Sequence, residues 1–253
     1  MIRTFAWIAT AALLAGLVAG CGEDEEVAIS KVFVAPPWTA NESYEYVLSR
    51  AEDGEEYGTC TLETTLNAQD GLTRLSRLCG DGENRDDGTV LVDPQTLVPH
   101  EANRTQVRPD KNSRLSFTAK YEPPIVKFIA DENGNPRDTE RDLPEADDLS
   151  PDPGYYDDES LLWLVRGLEL RDGWEGSFQD VSAGTGQTFR VDLKVENQEQ
   201  VTVPAGEFTA WKVRIRTASI TNYAWVEASG DHRLIKARIR GVQDVNYELT
   251  SSE

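Results

Sequence analysis

Few side chains in this chain could do chemistry. Cys21, Cys60 and Cys79 are its only thiols, and His100 and His232 its only imidazoles, in 253 residues. A zinc site needs Cys and His ligands at short, paired spacings. These five are scattered, so no metal site is expected. The chain has no Gly-x-Ser-x-Gly elbow, no phosphate loop and no His-Glu-x-x-His. His100 follows Pro99 in an ordinary alternating run, and His232 follows the turn Ser229-Gly230-Asp231. Each reads as a surface or half-buried histidine rather than a general base. Forty-five Asp and Glu residues offer carboxylate pairs everywhere, so no pair singles out glycoside hydrolysis. Asp131-Glu132-Asn133-Gly134-Asn135 has the composition of a calcium loop. Its glycine is misplaced for one and no bidentate Glu follows in register, so it reads as a solvated turn. The sequence predicts no catalytic residue, no cofactor and no enzyme.

Cys21 is the exception, because its surroundings give it a covalent role. Arg3 precedes an apolar run from Phe5 to Val18, and small residues lead into the cysteine. This is the layout of a secretory leader, too short and wrongly flanked for a membrane-spanning helix. Leu17-Val18-Ala19-Gly20-Cys21 resembles the lipobox of bacterial lipoproteins. That resemblance implies cleavage of residues 1–20, a diacylglycerol on the Cys21 sulfur and a body tethered to membrane by lipid. The alternative is a plain secreted protein. Gly22, rather than Asp, follows the cysteine. The expected location is therefore extracytoplasmic: the outer membrane where there is one, otherwise the outer face of the plasma membrane. Without the leader, 24 basic residues face 45 acidic ones, a net charge of −21. Such a chain is repelled by nucleic acid and by anionic headgroups.

The elements around these residues are strands. Residues 21–30 form a short acidic tether, and period-two patterns follow. Tyr44–Leu48, Tyr57–Asn67, Leu72–Cys79, Val90–Val92, Leu97–Val107, Arg114–Tyr121 and Ile125–Ala130 read as strands. Asn67-Ala68-Gln69-Asp70-Gly71 reads as a hairpin turn. A four-residue loop over 68–71 sets Cys60 directly opposite Cys79, within reach of a bridge. A one-residue slip would put them on opposite faces. Oxidising surroundings favour the disulfide, and two buried thiols are the alternative. The last third is again short strands, with turns at 183–186, 204–206 and 229–231. The fold class expected is mainly β: an antiparallel meander curled into a barrel-like or half-barrel sheet with one short helix. Residues 31–253 form a single domain.

Two segments break the alternation. Residues 131–157 read as an acidic loop. From Asp138 to Glu159 there are ten acids and one base, with scattered prolines. A helix is expected near 157–170, where Leu161, Leu162, Leu164, Val165 and Leu168 form one stripe. Asp157 or Asp158 is available as N-cap and Gly173 as the stop.

The segment Tyr155–Ala237 resembles domain-of-unknown-function family 3108, a family of bacterial exported proteins. Three stretches carry the likeness. They are Asp158–Leu170 with Gly173, then Thr202-Val203-Pro204-Ala205-Gly206-Glu207-Phe208 with Trp211-Lys212-Val213, then Ala224-Trp225-Val226 with Arg233-Leu234-Ile235-Lys236-Ala237. Glu207 stands where a small hydroxyl residue is more usual. The resemblance implies an exported β-rich shell with no agreed activity. Trp38, Trp163, Trp174, Trp211 and Trp225 either fill its core or line an apolar groove. The function expected is a non-enzymatic, lipid-anchored binding module for an apolar ligand such as a lipid. The alternative is a structural envelope lipoprotein whose acidic surface meets a protein partner or cations. An envelope hydrolase comes last.

Overall fold

A computed structural model describes residues 31–144, 154–184, 186–217, 219–241 and 244–252. The leader, Cys21 and the tether lie outside the described residues, as do 145–153 of the acidic loop. The chain first lays down β1 (Glu42–Arg50), β2 (Glu56–Gln69), β3 (Leu72–Gly80) and β4 (Arg85–Val92). Next come β5 (Pro99–Arg108), β6 (Ser113–Glu122), β7 (Ile125–Glu132) and β8 (Asn135–Asp142). After β9 (Tyr155–Asp157) and a helical segment follow β10 (Glu175–Val181), β11 (Thr188–Val203) and β12 (Gly206–Arg216). The chain ends with β13 (Thr221–Glu227), β14 (Leu234–Ile239) and β15 (Val245–Ser252).

All fifteen strands form one sheet, ordered β8 to β1 and then β15 to β9. Two meanders, one running each way, join where β1 pairs with β15. Only β9 runs parallel to its neighbour, β10. The sheet curls but stays open between β8 and β9, as the expected half-barrel does. Its inner face is the core: Tyr46, Leu75, Val90, Val213, Val226 and Ala237 are all buried there. No described helix is long and apolar enough to cross a membrane.

The β2–β3 hairpin has Cys60 opposite Cys79, and the two are disulfide-bonded. The turn differs from the four-residue loop expected. Gln69 pairs with Leu72, so only Asp70 and Gly71 lie between, both at positive φ (49° and 83°). That is the two-residue hairpin turn an Asp-Gly pair favours. A bulge between Thr65 and Gln69 absorbs two residues and restores the register.

The acidic loop begins later than expected. Asp131–Asp142 is not loop but the end of β7, a turn at Asn133-Gly134 and all of β8. Asn133 and Gly134 take positive φ (54° and 85°), another Asn-Gly hairpin turn. Every residue of β8 is exposed. A strand with solvent on both faces shows no hydrophobic alternation, which hid it. Its charges and Pro136 suit a sheet edge. In the suspected calcium loop, the Asp131 carboxylate accepts the Gly134 N–H at 2.7 Å.

The helix is also shorter than 157–170. A 3₁₀ turn, Asp158–Ser160, leads into α1 (Leu161–Leu164) and a second 3₁₀ turn, Val165–Gly167. Asp157 caps the start by accepting the Glu159 N–H. Leu168 is already extended, so Gly173 stops nothing. The segment is not amphipathic with one buried stripe. Leu162 to Leu168 are all buried, because the segment lies inside the curl and is surrounded.

The disulfide closes a loop of sequence separation 19. Replacing Cys60 and Cys79 together by Ser is expected to cost about 3 kcal/mol. Urea unfolding of the oxidised parent and the double variant measures it.

Candidate functional site

The helical segment is held to the sheet by a charge clasp at each end. The lower clasp centres on Arg166, whose side chain is 3% exposed. Its guanidinium grips the Glu42 carboxylate of β1 through both terminal nitrogens. It also donates to the carbonyls of His232 (2.9 Å) and Asp231 (3.2 Å). Trp38 and Tyr44 lie against it, each ring centroid 5.3 Å away. Glu42 in turn accepts the Thr64 hydroxyl, and Thr64 accepts the Trp163 indole N–H, each at 2.9 Å. The network thus ties β1, β2, the β13–β14 turn and the helical segment together. The N-terminal strap closes over it: the Val34 N–H donates to Gly167 at 2.8 Å. A side chain at Gly167 would overlap the Phe33 ring and the Ala35 carbonyl.

The upper clasp reverses the signs. Arg77, Gly88 and Arg104 lie side by side on β3, β4 and β5. Gly88 leaves a notch, and the Glu159 carboxylate fills it. A Cβ at Gly88 would overlap that carboxylate. Arg77 meets Glu159 at 3.0 Å and Arg104 meets it at 3.7 Å. Asp86 completes the cluster, at 2.7 Å from Arg104 and 3.3 Å from Arg77. Burial works to raise Asp86, but the Arg104 hydrogen bonds and the Arg77 charge win and hold it down at about 2.

Three further carboxyls crowd this end without a matching cation. Asp157 accepts the Tyr121 hydroxyl, and stacking of Tyr121 on Tyr155 at 6.0 Å joins β6 to β9 across the open side of the sheet. Burial first, then the Asp158 charge, raise Asp157 well above the ordinary carboxyl range. Burial and Glu159 raise Asp158 to about 6, although the Ala183 N–H donates to it at 3.2 Å. Asp180, 7% exposed, is raised by burial and by Asp158 and Glu159. Its Oδ1 has no hydrogen-bond partner.

A pocket of about 280 Å³ opens at this upper mouth. Leu161, Leu162, Ile239, Val245 and Tyr247 form its apolar wall, and Arg77, Glu159, Arg104, Asp86 and Asp158 its charged floor. A second hollow of about 380 Å³ lies over the lower clasp, bordered by Trp38, Tyr44, Glu227 and Arg233.

The residues singled out from sequence fall elsewhere. His100 is exposed on β5. His232, at φ 48°, contributes its carbonyl to Arg166 and not its imidazole. Trp38, Trp163 and Trp174 are core, and Trp211 packs against that core. Trp225 is half-buried, donates to Glu199 and stands across from Lys212 and Lys236. No tryptophan borders the mouth pocket. Among the described residues, no three His, Cys, Asp or Glu side chains converge to hold a metal. Sequence reasoning missed both clasps. The only local signal was the run Asp157-Asp158-Glu159, more charge than one cap needs.

A family model described as a protein of unknown function (DUF3108) matches residues 51–250. The chain belongs to the DUF3108 family. Among solved structures, it resembles a β-barrel-like protein of family DUF1849 from Brucella abortus, with a TM-score of 0.50 and 12% identity. That likeness covers 85% of this chain and 97% of the other. A putative exported protein with a YmcC-like fold from Bacteroides fragilis aligns at a TM-score of 0.33 and 9% identity, over 87% and 99% of the two chains. The hypothetical lipoprotein YmcC of Escherichia coli aligns at 0.27 and 9%, over 90% of each. No curated protein matches in sequence. The DUF3108 chain thus shares its curled sheet with the first of these.

Two stability experiments test the site. Arg166→Met leaves Glu42 buried and unpaired, and is expected to cost about 3–5 kcal/mol. Adding Glu42→Gln should recover more than half of that in urea unfolding. Asp180 has its folded-state value raised. Its contribution is full below the unfolded value of 3.8 and lost as pH rises through the folded value. At pH 7.5 its charge is therefore a cost. Asp180→Asn is expected to stabilise the fold there by about 1–3 kcal/mol, with the gain gone at pH 3.5. Unfolding midpoints at both pH values measure this.

Proposed function

We propose that this chain is a lipid-anchored module of the cell envelope, outside the cytoplasm, that binds an apolar or amphiphilic ligand and catalyses nothing. The observation that carries the reading is the mouth pocket: an apolar wall of Leu161, Leu162, Ile239, Val245 and Tyr247 facing a charged floor. Mouths of curled β-sheets are a common place for small ligands. The floor's Arg77 has every nitrogen engaged by Glu159, Asp86 or Cys79. A group so tied positions structure and has no free donor to stabilise a transition state. At about 280 Å³ the pocket falls just below the roughly 300–1,000 Å³ usual for small-molecule sites. It suits one short chain or part of a longer one, not a whole two-chain lipid.

The anchor rests on the residues before Cys21. The described chain starts with a strap, Val32 to Trp38, packed on the lower end of the helical segment. Nine residues, 22–30, lie between Cys21 and Lys31, so the two are at most about 35 Å apart when the chain is extended. An anchor there favours the lower rim, where the strap enters, as the side nearer the membrane.

The test is native mass spectrometry of the full chain, extracted from host membranes in a nonionic detergent. Two added masses are expected. A diacylglycerol should disappear with Cys21→Ser, and a non-covalent ligand should be lost on organic extraction. Ile239→Trp, which fills the pocket, should remove only the second. A chain bearing lipid but no ligand overturns the binding module and leaves an anchored scaffold.

A further inference from the structure

We propose that the mouth pocket takes an uncharged acyl ester, its carbonyl oxygen received by the Tyr247 hydroxyl. This rests on the reading that the pocket binds a ligand. It runs against the first impression given by the ionic floor, which would suggest a charged head.

Charge balance excludes an ionic head. Arg77, Arg104 and Arg240 border the cavity, and so do Asp86, Asp158 and Glu159. The charges cancel in number, and each is already held. Arg77 meets Glu159 at 3.0 Å and Asp86 at 3.3 Å. Arg104 gives Nε and Nη2 to Asp86 at 2.9 and 2.7 Å. At the rim, Arg240 is paired with Asp244 at 3.3 Å. The β10–β11 turn holds Asp158 through the Ala183 N–H at 3.2 Å and the Ser182 hydroxyl. An anion that reached the arginines would also meet Asp86 and Glu159. A cation that reached those carboxylates would also meet Arg77 and Arg104. Either ion would give up its water for a floor that is already neutral, and nothing there offsets that loss.

The polar atoms left open are donors. The Tyr247 hydroxyl borders the cavity, and its one hydrogen-bonding contact is the Cys79 sulfur at 4.0 Å, a weak partner. Burial raises the Tyr247 pKa, so the hydroxyl keeps its proton. Asn222 uses its Oδ1 to accept the Arg240 N–H at 2.8 Å, and its Nδ2 has no acceptor among the described residues. Arg104 Nη1 is open in the same way. The ligand must therefore accept and need not donate. An ester carbonyl does that and carries no charge. An alcohol accepts too, but its own O–H would compete for oxygens that the arginines already hold. The acyl chain would lie along Leu161, Leu162 and Ile239.

The experiment compares methyl octanoate, octanol, octanoate and octylamine on the full chain in phosphatidylcholine nanodiscs at pH 8, where the last two are charged. Affinity is read from the rise in unfolding midpoint against ligand concentration. Ile239→Trp and Leu161→Trp each fill the cavity and subtract partition into the bilayer; if one fails to fold, the other serves. The ester is expected to bind at least about fivefold more tightly than either ion, and more tightly than octanol. Tyr247→Phe, which removes only the hydroxyl, should weaken the ester about fivefold and leave both ions unchanged. If octanol, octanoate or octylamine binds through the pocket as tightly as the ester, or if Tyr247→Phe leaves ester binding as it was, the ester assignment is overturned and the binding reading stands. If none of the four binds in a way that the tryptophans block, both fall.

Discussion

The structure depends on the ion pair between Arg166 and Glu42. A fifteen-stranded sheet open along one side cannot hold its curvature by backbone hydrogen bonds alone, because no backbone ladder joins β8 to β9. The helical segment inside the curl supplies the missing cross-link, and Arg166 fixes where it sits. Burying a guanidinium is unfavourable unless its donors are matched. Here they are matched by a carboxylate from β1 and two carbonyls from the β13–β14 turn. Those partners come from either side of the β1–β15 junction, so satisfying one side chain sets the spacing of the two meanders. Hydrophobic filling alone would leave the segment room to slide or rotate, since apart from Trp163 and Arg166 its buried side chains are mostly aliphatic. The directional bonds do not allow it.

The upper clasp carries out the same task with opposite polarity and has different consequences. It takes an acid from the segment into a pair of sheet arginines, and it leaves Asp158 and Asp180 beside it without cations of their own. The lower end is matched in charge, and the strap packs over it beside the second hollow. The upper end is over-supplied with carboxyls and opens to solvent. Membership of DUF3108 and the likeness to the Brucella abortus protein speak to the shell; they say nothing of what enters it.

Much of the shell was legible in the sequence. Alternation and turn residues located most strands, and the Cys60–Cys79 register came out right although two departures, a shorter turn and a bulge, had to cancel. β8 was hidden because it buries nothing. Asn133-Gly134 was the cue, outweighed by the charge around it. The helical stripe was recognised but drawn out to 157–170, because a stripe reveals neither where the helix ends nor that its other side is also enclosed. The clasps were not legible at all. Gly88 matters only because registers across three strands set it between Arg77 and Arg104. Arg166 and Glu42 are 124 residues apart. Pairings of that range arise from topology and carry no local signature.

The strap has a mechanical consequence. Its residues, Val32 to Trp38, do not run from the N-terminus into the edge of a strand; they dock first on Gly167, at the foot of the enclosed segment. Traction on the N-terminus therefore reaches the foot of the plug before it reaches any strand of the wall. The wall is hung from its own stopper: a displacement of the strap moves the foot of the enclosed segment and, ten residues away along 158–167, its opposite end.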